Sequence, residues 1–270
     1  MSSIRRHGRV LHRGILPGFI AGAGLIACSP ADETMPSGGE PAADQTPAPV
    51  AAEYPDFNGI YFPAGFARRT PQQLPYTPGA AEMAEYWEAN FRTEDEPGRF
   101  CIWPGMPRAP WGAPFPVEIF QRDYDITIYW EGYGMFRKIY MADHNPPEAI
   151  LHTAMGHSVA HWEGDELVVE TSHLKAYPYF SGLATSSNAH VHERIRFEER
   201  MIDGETVRFL VNDITLTDPQ VYTQPIELHA EARHRPDLFM LEYTCTNTLW
   251  EEYLSERGLE LPDVDALPAD

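Results

Sequence analysis

The chain has 270 residues with 40 Asp and Glu against 20 Lys and Arg, a formal charge of −20 at pH 7. A surface of that sign repels phosphate backbones and anionic headgroups, so nucleic acid is not an expected partner. The length admits one large domain or two small ones, and three cysteines, Cys28, Cys101 and Cys245, have to be placed.

Residues 1–27 have the layout of an export signal. Arg5, Arg6, Arg9 and Arg13 make a basic start, and residues 15–27 are apolar, broken by Pro17 and glycines. That stretch is too short and too glycine-rich for a spanning helix. Leu25-Ile26-Ala27-Cys28 resembles the lipobox of bacterial lipoproteins. The resemblance implies diacylation of Cys28, cleavage before it and acylation of the new amine. Each buried acyl CH₂ contributes about 0.8 kcal/mol, so several chains make a lasting anchor. Ordinary secretion with an incidental Cys28 is the alternative. Arg5-Arg6 lacks the hydrophobic pair that follows in a twin-arginine signal, which favours the general export route. By resemblance to enteric sorting rules, Ser29 in place of Asp implies the outer membrane, with the protein facing the periplasm. Removing the leader takes four basic and no acidic residues, leaving a formal charge of −24.

Residues 28–53 are rich in Pro, Ala, Gly and acidic side chains, with little to bury, and read as a disordered tether. A single β-rich domain is expected over 54–258, and an acidic tail over 259–270. A short strand at 59–62 comes first. Thr77-Pro78 then opens a helix, with Thr77 as N-cap and Pro78 at the first helical position. Met83, Tyr86, Trp87 and Phe91 recur at helical spacing and predict one packed face. From Pro116 the period changes to two. Strands are predicted at Val117-Ile119, Ile126-Ile128-Trp130, 136–141, Leu167-Val169-Thr171, 190–200, 206–216, 226–234 and 238–245. Turn residues separate them at Glu131-Gly132-Tyr133-Gly134, Glu163-Gly164-Asp165, Asp203-Gly204 and Arg235-Pro236-Asp237; Asp203-Gly204 is the strongest hairpin signal. Nine or ten locally connected antiparallel strands predict an all-β fold, an up-and-down barrel or strongly curved, lipocalin-like sheet. A short C-terminal helix at 249–257 complements the N-terminal one. A two-sheet sandwich is the alternative. A closed barrel has no open edges and an interior able to hold one small ligand.

Three segments stand out: Cys101-x-x-Pro104-Gly105-Met106-Pro107-Arg108; Met155-Gly156-His157-Ser158 running through Trp162-Glu163-Gly164-Asp165 to Leu167-Val168-Val169-Glu170-Thr171; and His190-Val191-His192-Glu193-Arg194. With Arg137-Lys138-Ile139-Tyr140-Met141 and Leu241-Glu242-Tyr243-x-Cys245 they resemble a family of exported, mostly uncharacterised bacterial proteins. The resemblance spans about residues 55–250, implies no particular activity, and departs at His192, where an apolar residue is expected. Both Cys101 and Cys245 fall inside these segments. An oxidising periplasm makes a Cys101–Cys245 disulfide the natural reading, and closing so long a loop contributes about 5 kcal/mol in the chain-entropy model. Two buried free thiols are the alternative.

Strand alternation sorts the remaining candidates. Val191, Glu193, Ile195 and Phe197 share one face, opposite His190, His192, Arg194, Arg196 and Glu198. Arg137 shares a face with Ile139 and Met141. If the apolar faces point inward, Glu193 and Arg137 must find partners, because an isolated buried charge is very costly. A structural ion pair is one reading; a ligand anchor or acid/base inside a pocket is the other. His157, after Gly156, is a candidate acid or base with Glu193, against a structural His bonded to a backbone carbonyl. Arg137, Tyr140, His190 and Glu193 are the expected ligand-binding set. His190-x-His192 has metal-site spacing but lacks a third ligand, so no metal and no cofactor is expected. Trp162-Glu163-Gly164-Asp165 reads as a turn with a packing anchor. Trp103, Trp111 and Phe115 lie among Pro104, Pro107, Pro110, Pro114 and Pro116, which predicts a rigid loop over one barrel end, either closing a pocket or plugging it. The functions that fit are a binding module for a small, largely apolar ligand, a cofactor-independent lyase, isomerase or hydrolase using His157 and Glu193, or a purely structural envelope role.

Overall fold

The structure, a computed structural model, describes residues 54–70, 73–111, 115–144, 151–243 and 248–268. The expected leader, lipidation site Cys28 and tether lie outside these residues, as does Cys245. The described chain is a closed barrel of nine strands in sequence order. These are β1 (Gly59–Thr70), β2 (Val117–Gln121), β3 (Asp125–Trp130), β4 (Met135–Met141), β5 (His157–Glu163), β6 (Glu166–Ser172), β7 (His190–Ile202), β8 (Glu205–Thr217) and β9 (Ile226–His234). Two helices accompany them, α1 (Pro78–Asn90) and α2 (Thr248–Glu256).

An all-antiparallel barrel needs an even number of strands, since direction alternates around the ring. Nine strands therefore force one parallel seam, and it falls between β4 and β5, where Ile139, Tyr140 and Met141 pair with Ser158, Val159 and Ala160. This corrects the expectation of antiparallel pairing throughout. A parallel neighbour needs a long return connection, and residues 142–156 provide it. β9 closes the ring by pairing with β1 from Tyr61 to Thr70. That pairing extends β1 well beyond the expected 59–62. The register shift between Pro63 and Gly65 explains why the alternation there was hard to read, because proline is tolerated in strands at such irregularities. With β1 occupying the edge of β9, no place remains for the expected strand at 238–245. Residues 238–243 carry no strand, and the Leu241 amide donates instead to the Glu131 carboxylate at 2.6 Å.

The β7–β8 hairpin shows the turn chemistry most directly. Asp203 and Gly204 both take positive φ, 52° and 85°. That backbone matches the right-handed strand twist, and two thirteen-residue strands pair without interruption on either side.

Helices and irregular segments gather at one end of the barrel, where β3, β6 and β8 stop and β4, β5, β7 and β9 begin. The Thr77 hydroxyl accepts from the Ala80 amide as N-cap and donates to the Gln220 carbonyl at 2.9 Å, fixing α1 to the β8–β9 connection. α1 buries Ala80, Ala84 and Trp87, and Trp87 stacks on Phe91 at 4.0 Å. Tyr86 is exposed, so the packed face is narrower than the apolar spacing predicts. Residues after 258 pack back on this end. Val264 and Leu267 are buried, and Gln220 donates to the Leu267 carbonyl at 2.6 Å.

Candidate functional site

The centre of the barrel is polar. Arg137 and Glu193 are 1% and 0% exposed and form a bidentate pair, with Arg137 Nη1 donating to Glu193 Oε1 at 3.1 Å and Nη2 to Oε2. Arg137 also donates from Nε to the Ser158 hydroxyl at 3.0 Å and from Nη2 to the Thr171 hydroxyl at 2.8 Å. Asn212 Nδ2 donates to Glu193 Oε1 at 2.8 Å, and the Ser158 and Thr171 hydroxyls lie 3.0 Å apart. One polar residue thus comes from each of five consecutive strands, β4 to β8, and the parallel seam lies within that arc. The inward alternation read from the sequence brings Arg137 and Glu193 together. The apolar ring around them includes Ile126, Ile139, Ile195, Ile214 and Leu228.

Little open space accompanies this centre. A slot of about 60 Å³ lies beside it, walled by Tyr61, Trp130, Ile195 and Leu210 with Arg137 and Asn212 at the polar side. Small-molecule pockets usually enclose about 300–1,000 Å³. The interior has room for water and little more.

The other expected site residues stand elsewhere. Ser158 points inward, so its neighbour His157 faces outward, where its ring lies 5.7 Å from Tyr140 and 6.4 Å from His173. Burial, followed by the nearby His173, lowers the His157 pKa below the usual histidine value. The structure does not bring His157 to Glu193, whose carboxylate is taken by Arg137 and Asn212. Tyr140 and His190 also belong to outward positions, Tyr140 between buried Ile139 and Met141 and His190 exposed beside buried Val191. Period-two alternation excludes both from an interior ligand set. His192 Nδ1 lies 2.6 Å from the Glu170 carboxylate on the same outer face. Trp162 is the expected anchor, stacked at 4.9 Å on Tyr54 and 5.3 Å from Phe57.

A larger cavity forms where the capping elements meet the barrel. It has a volume of about 430 Å³ and runs between the proline-rich segment after Cys101, the β3–β4 turn, residues 175–178 and α2. Trp103 is its inner wall, packed 6.1 Å from Trp130 and 5.1 Å from Tyr133. The loop expected over one barrel end is therefore both: Met106 and Ala109 plug the core, while Trp103 and Pro104 border an open cleft. Gly105 makes the wall possible. Its φ is +67°, and an added Cβ would stand 2.1 Å from the Ala154 carbonyl oxygen, which accepts from the Met106 amide at 2.9 Å. The contact joins the Cys101 to Arg108 segment to the residue just before the segment that starts at Met155. On the far side, Phe100 stacks on Tyr253 of α2 at 4.7 Å, and Arg257 donates to the buried Asp95. Tyr177 forms a third wall, held by reciprocal backbone bonds with Thr185 at 2.8 and 2.9 Å. Burial raises the Tyr177 hydroxyl well above the ordinary phenol range and also raises Tyr133. Strand alternation carries no signal for this cleft, because its walls are loops and helix ends.

An open groove of about 680 Å³ crosses the opposite end between Tyr54, Trp162 and Arg122. Most of its ionic groups are already engaged: Arg122 with Asp125, Asp56 with Asn58, Asp143 with His144 and His161 with Glu163. No family model and no curated protein matches the chain.

Proposed function

We propose that the protein is an exported lipoprotein, held in the outer membrane by acyl groups on Cys28, whose periplasmic barrel is a binding module for a small, largely apolar ligand. The run Leu25-Ile26-Ala27-Cys28 behind a basic, apolar leader supports the anchor. Binding rests on one contrast, about 430 Å³ of cleft at the capped end against about 60 Å³ beside the central ion pair. The ligand site is thus the cleft, and Arg137 with Glu193 holds the barrel rather than the ligand. Acid/base catalysis by His157 and Glu193 finds no support in geometry that keeps the two apart.

The binding reading is tested on protein taken from its own host, denatured, and its extract analysed by mass spectrometry. Wild type should release a stoichiometric small molecule. Ala176→Trp, which fills the cleft from its wall, should release none while keeping its fold; equal release from both would place the ligand elsewhere. The anchor has its own test. Cys28→Ser should move the protein from the membrane pellet to the soluble periplasmic fraction with its melting temperature unchanged, since a tether decouples domain from lipid. Continued sedimentation through an alkaline wash would mean that something other than acyl chains holds it.

Cys101 and Cys245 are proposed as bridged. Peptide mapping without reduction should give one cross-linked pair, and two alkylatable thiols in native protein would refute it. If bridged, their Cα atoms lie within about 7 Å.

A further inference from the structure

Burying a donor without a partner destabilises a fold, so such groups are few and each calls for a reason. Among the described residues five buried side-chain atoms lack a partner: Trp103 Nε1, Arg108 Nη1, Tyr177 Oη, Asn212 Oδ1 and Trp250 Nε1. Three belong to residues that wall the cleft. Trp103 and Trp250 are only 7% and 5% exposed, so solvent does not satisfy them. The fourth, Arg108, stands over the Tyr179 ring at 4.6 Å and 3.8 Å from Glu96, close enough for its charge to act on Tyr177. Indole and guanidinium N–H groups only donate, and a phenol donates readily. Three unspent donors from three segments therefore belong to walls of one cleft, with Arg108 nearby, beside apolar walls such as Ile102, Met106 and Ala176.

We propose that the cleft is a site for an apolar organic acid, whose carboxylate enters between the walls and accepts from Trp103, Tyr177 and Trp250 while its hydrocarbon body lies along the apolar side. This rests on reading the cleft as the ligand site. A carboxylate is acceptor-only and offers about four lone-pair positions to such donors, and hydrogen bonds to it are about twice as strong as neutral ones. Each donor atom is closed to solvent, so binding includes a local parting of the wall side chains. The strongly negative net charge opposes an approaching anion, but salt screens that field beyond about 8 Å. Lys175 on the cleft wall, opposed by Glu251, and the Arg108 guanidinium near Tyr177, opposed by Glu96, are the charges an entering carboxylate meets.

The test uses the full chain in lipid nanodiscs, titrated calorimetrically with 4-phenylbutyrate, 5-phenyl-2-pentanone and 4-phenylbutylamine, which share a phenylpropyl body. The acid should bind at least tenfold tighter than the ketone and more than tenfold tighter than the amine. Tyr177→Phe should weaken the acid at least fivefold, leave the ketone-to-amine ratio little changed, and leave the melting temperature unchanged or raised, because the lost hydroxyl had no partner. A merely structural Tyr177 would instead lower the melting temperature and leave the preference for the acid intact. An amine or ketone that binds as well as the acid, or no binding by any of the three, overturns the ligand class. The cleft itself fails as a site only if Ala176→Trp retains the host ligand.

Discussion

Replacing Glu193 with Ala should destabilise the barrel by about 3–5 kcal/mol, the usual result of leaving one member of a buried ion pair uncompensated. Arg137 would keep Ser158 and Thr171 as acceptors but lose its only charged partner among the described residues, and Asn212 Nδ2 would lose its acceptor. Glu193→Gln should cost less, since its carbonyl still accepts from Arg137. Changing both ends, as in Arg137→Met with Glu193→Leu, should recover much of the loss, because apolar pairs often replace buried ion pairs at little net cost. Asn212 then remains the unsatisfied group, at about 1–3 kcal/mol. Urea denaturation of the three variants checks the order. A Glu193→Ala loss below about 1 kcal/mol would mean that the pair is hydrated and peripheral to stability.

Gly105→Ala should be nearly as damaging, by about 3 kcal/mol, from two sources. A left-handed backbone costs an L-residue about 1–2 kcal/mol. The new Cβ would also press on the Ala154 carbonyl oxygen at 2.1 Å, a backbone atom that cannot rotate away, and such overpacking typically costs about 1–3 kcal/mol. Gly164→Ala is the matched control. Gly164 has φ +63° but nothing within 4 Å of its would-be Cβ, so it should lose the backbone share alone. Equal losses at the two positions would show that the close approach between the proline-rich segment and Ala154 does not contribute. Gly105→Ala should also deform the cleft wall and reduce ligand retention, which Gly164→Ala should not.

The barrel was legible because its physics is periodic. Val191, Glu193 and Ile195 fall on one face of β7, and only a strand explains that spacing together with hairpin signals such as Asp203-Gly204. The same alternation made the meeting of Arg137 and Glu193 predictable, because two inward charges of opposite sign have nowhere else to go. The parallel seam was not legible from local patterns, since it follows from ring closure and the odd strand count. Pro63 and Gly65 interrupt the alternation of β1, so its continuation to Thr70 rests on pairing with β9 and has no local signature. Tyr140 and His190 each neighbour a buried residue and must face out, which their side-chain chemistry alone does not reveal. The cleft had no periodic signature at all. Trp103, Tyr177 and Trp250 come from three distant segments, and only the capped barrel end makes them neighbours.

The most direct test of the cleft against the barrel interior is native mass spectrometry of host-derived protein in three folded forms. A ligand in the cleft predicts the same bound mass on wild type and on Arg137→Met/Glu193→Leu, and none on Ala176→Trp. A bound mass that persists in Ala176→Trp and disappears from the Arg137→Met/Glu193→Leu variant would place the ligand in the barrel and contradict it.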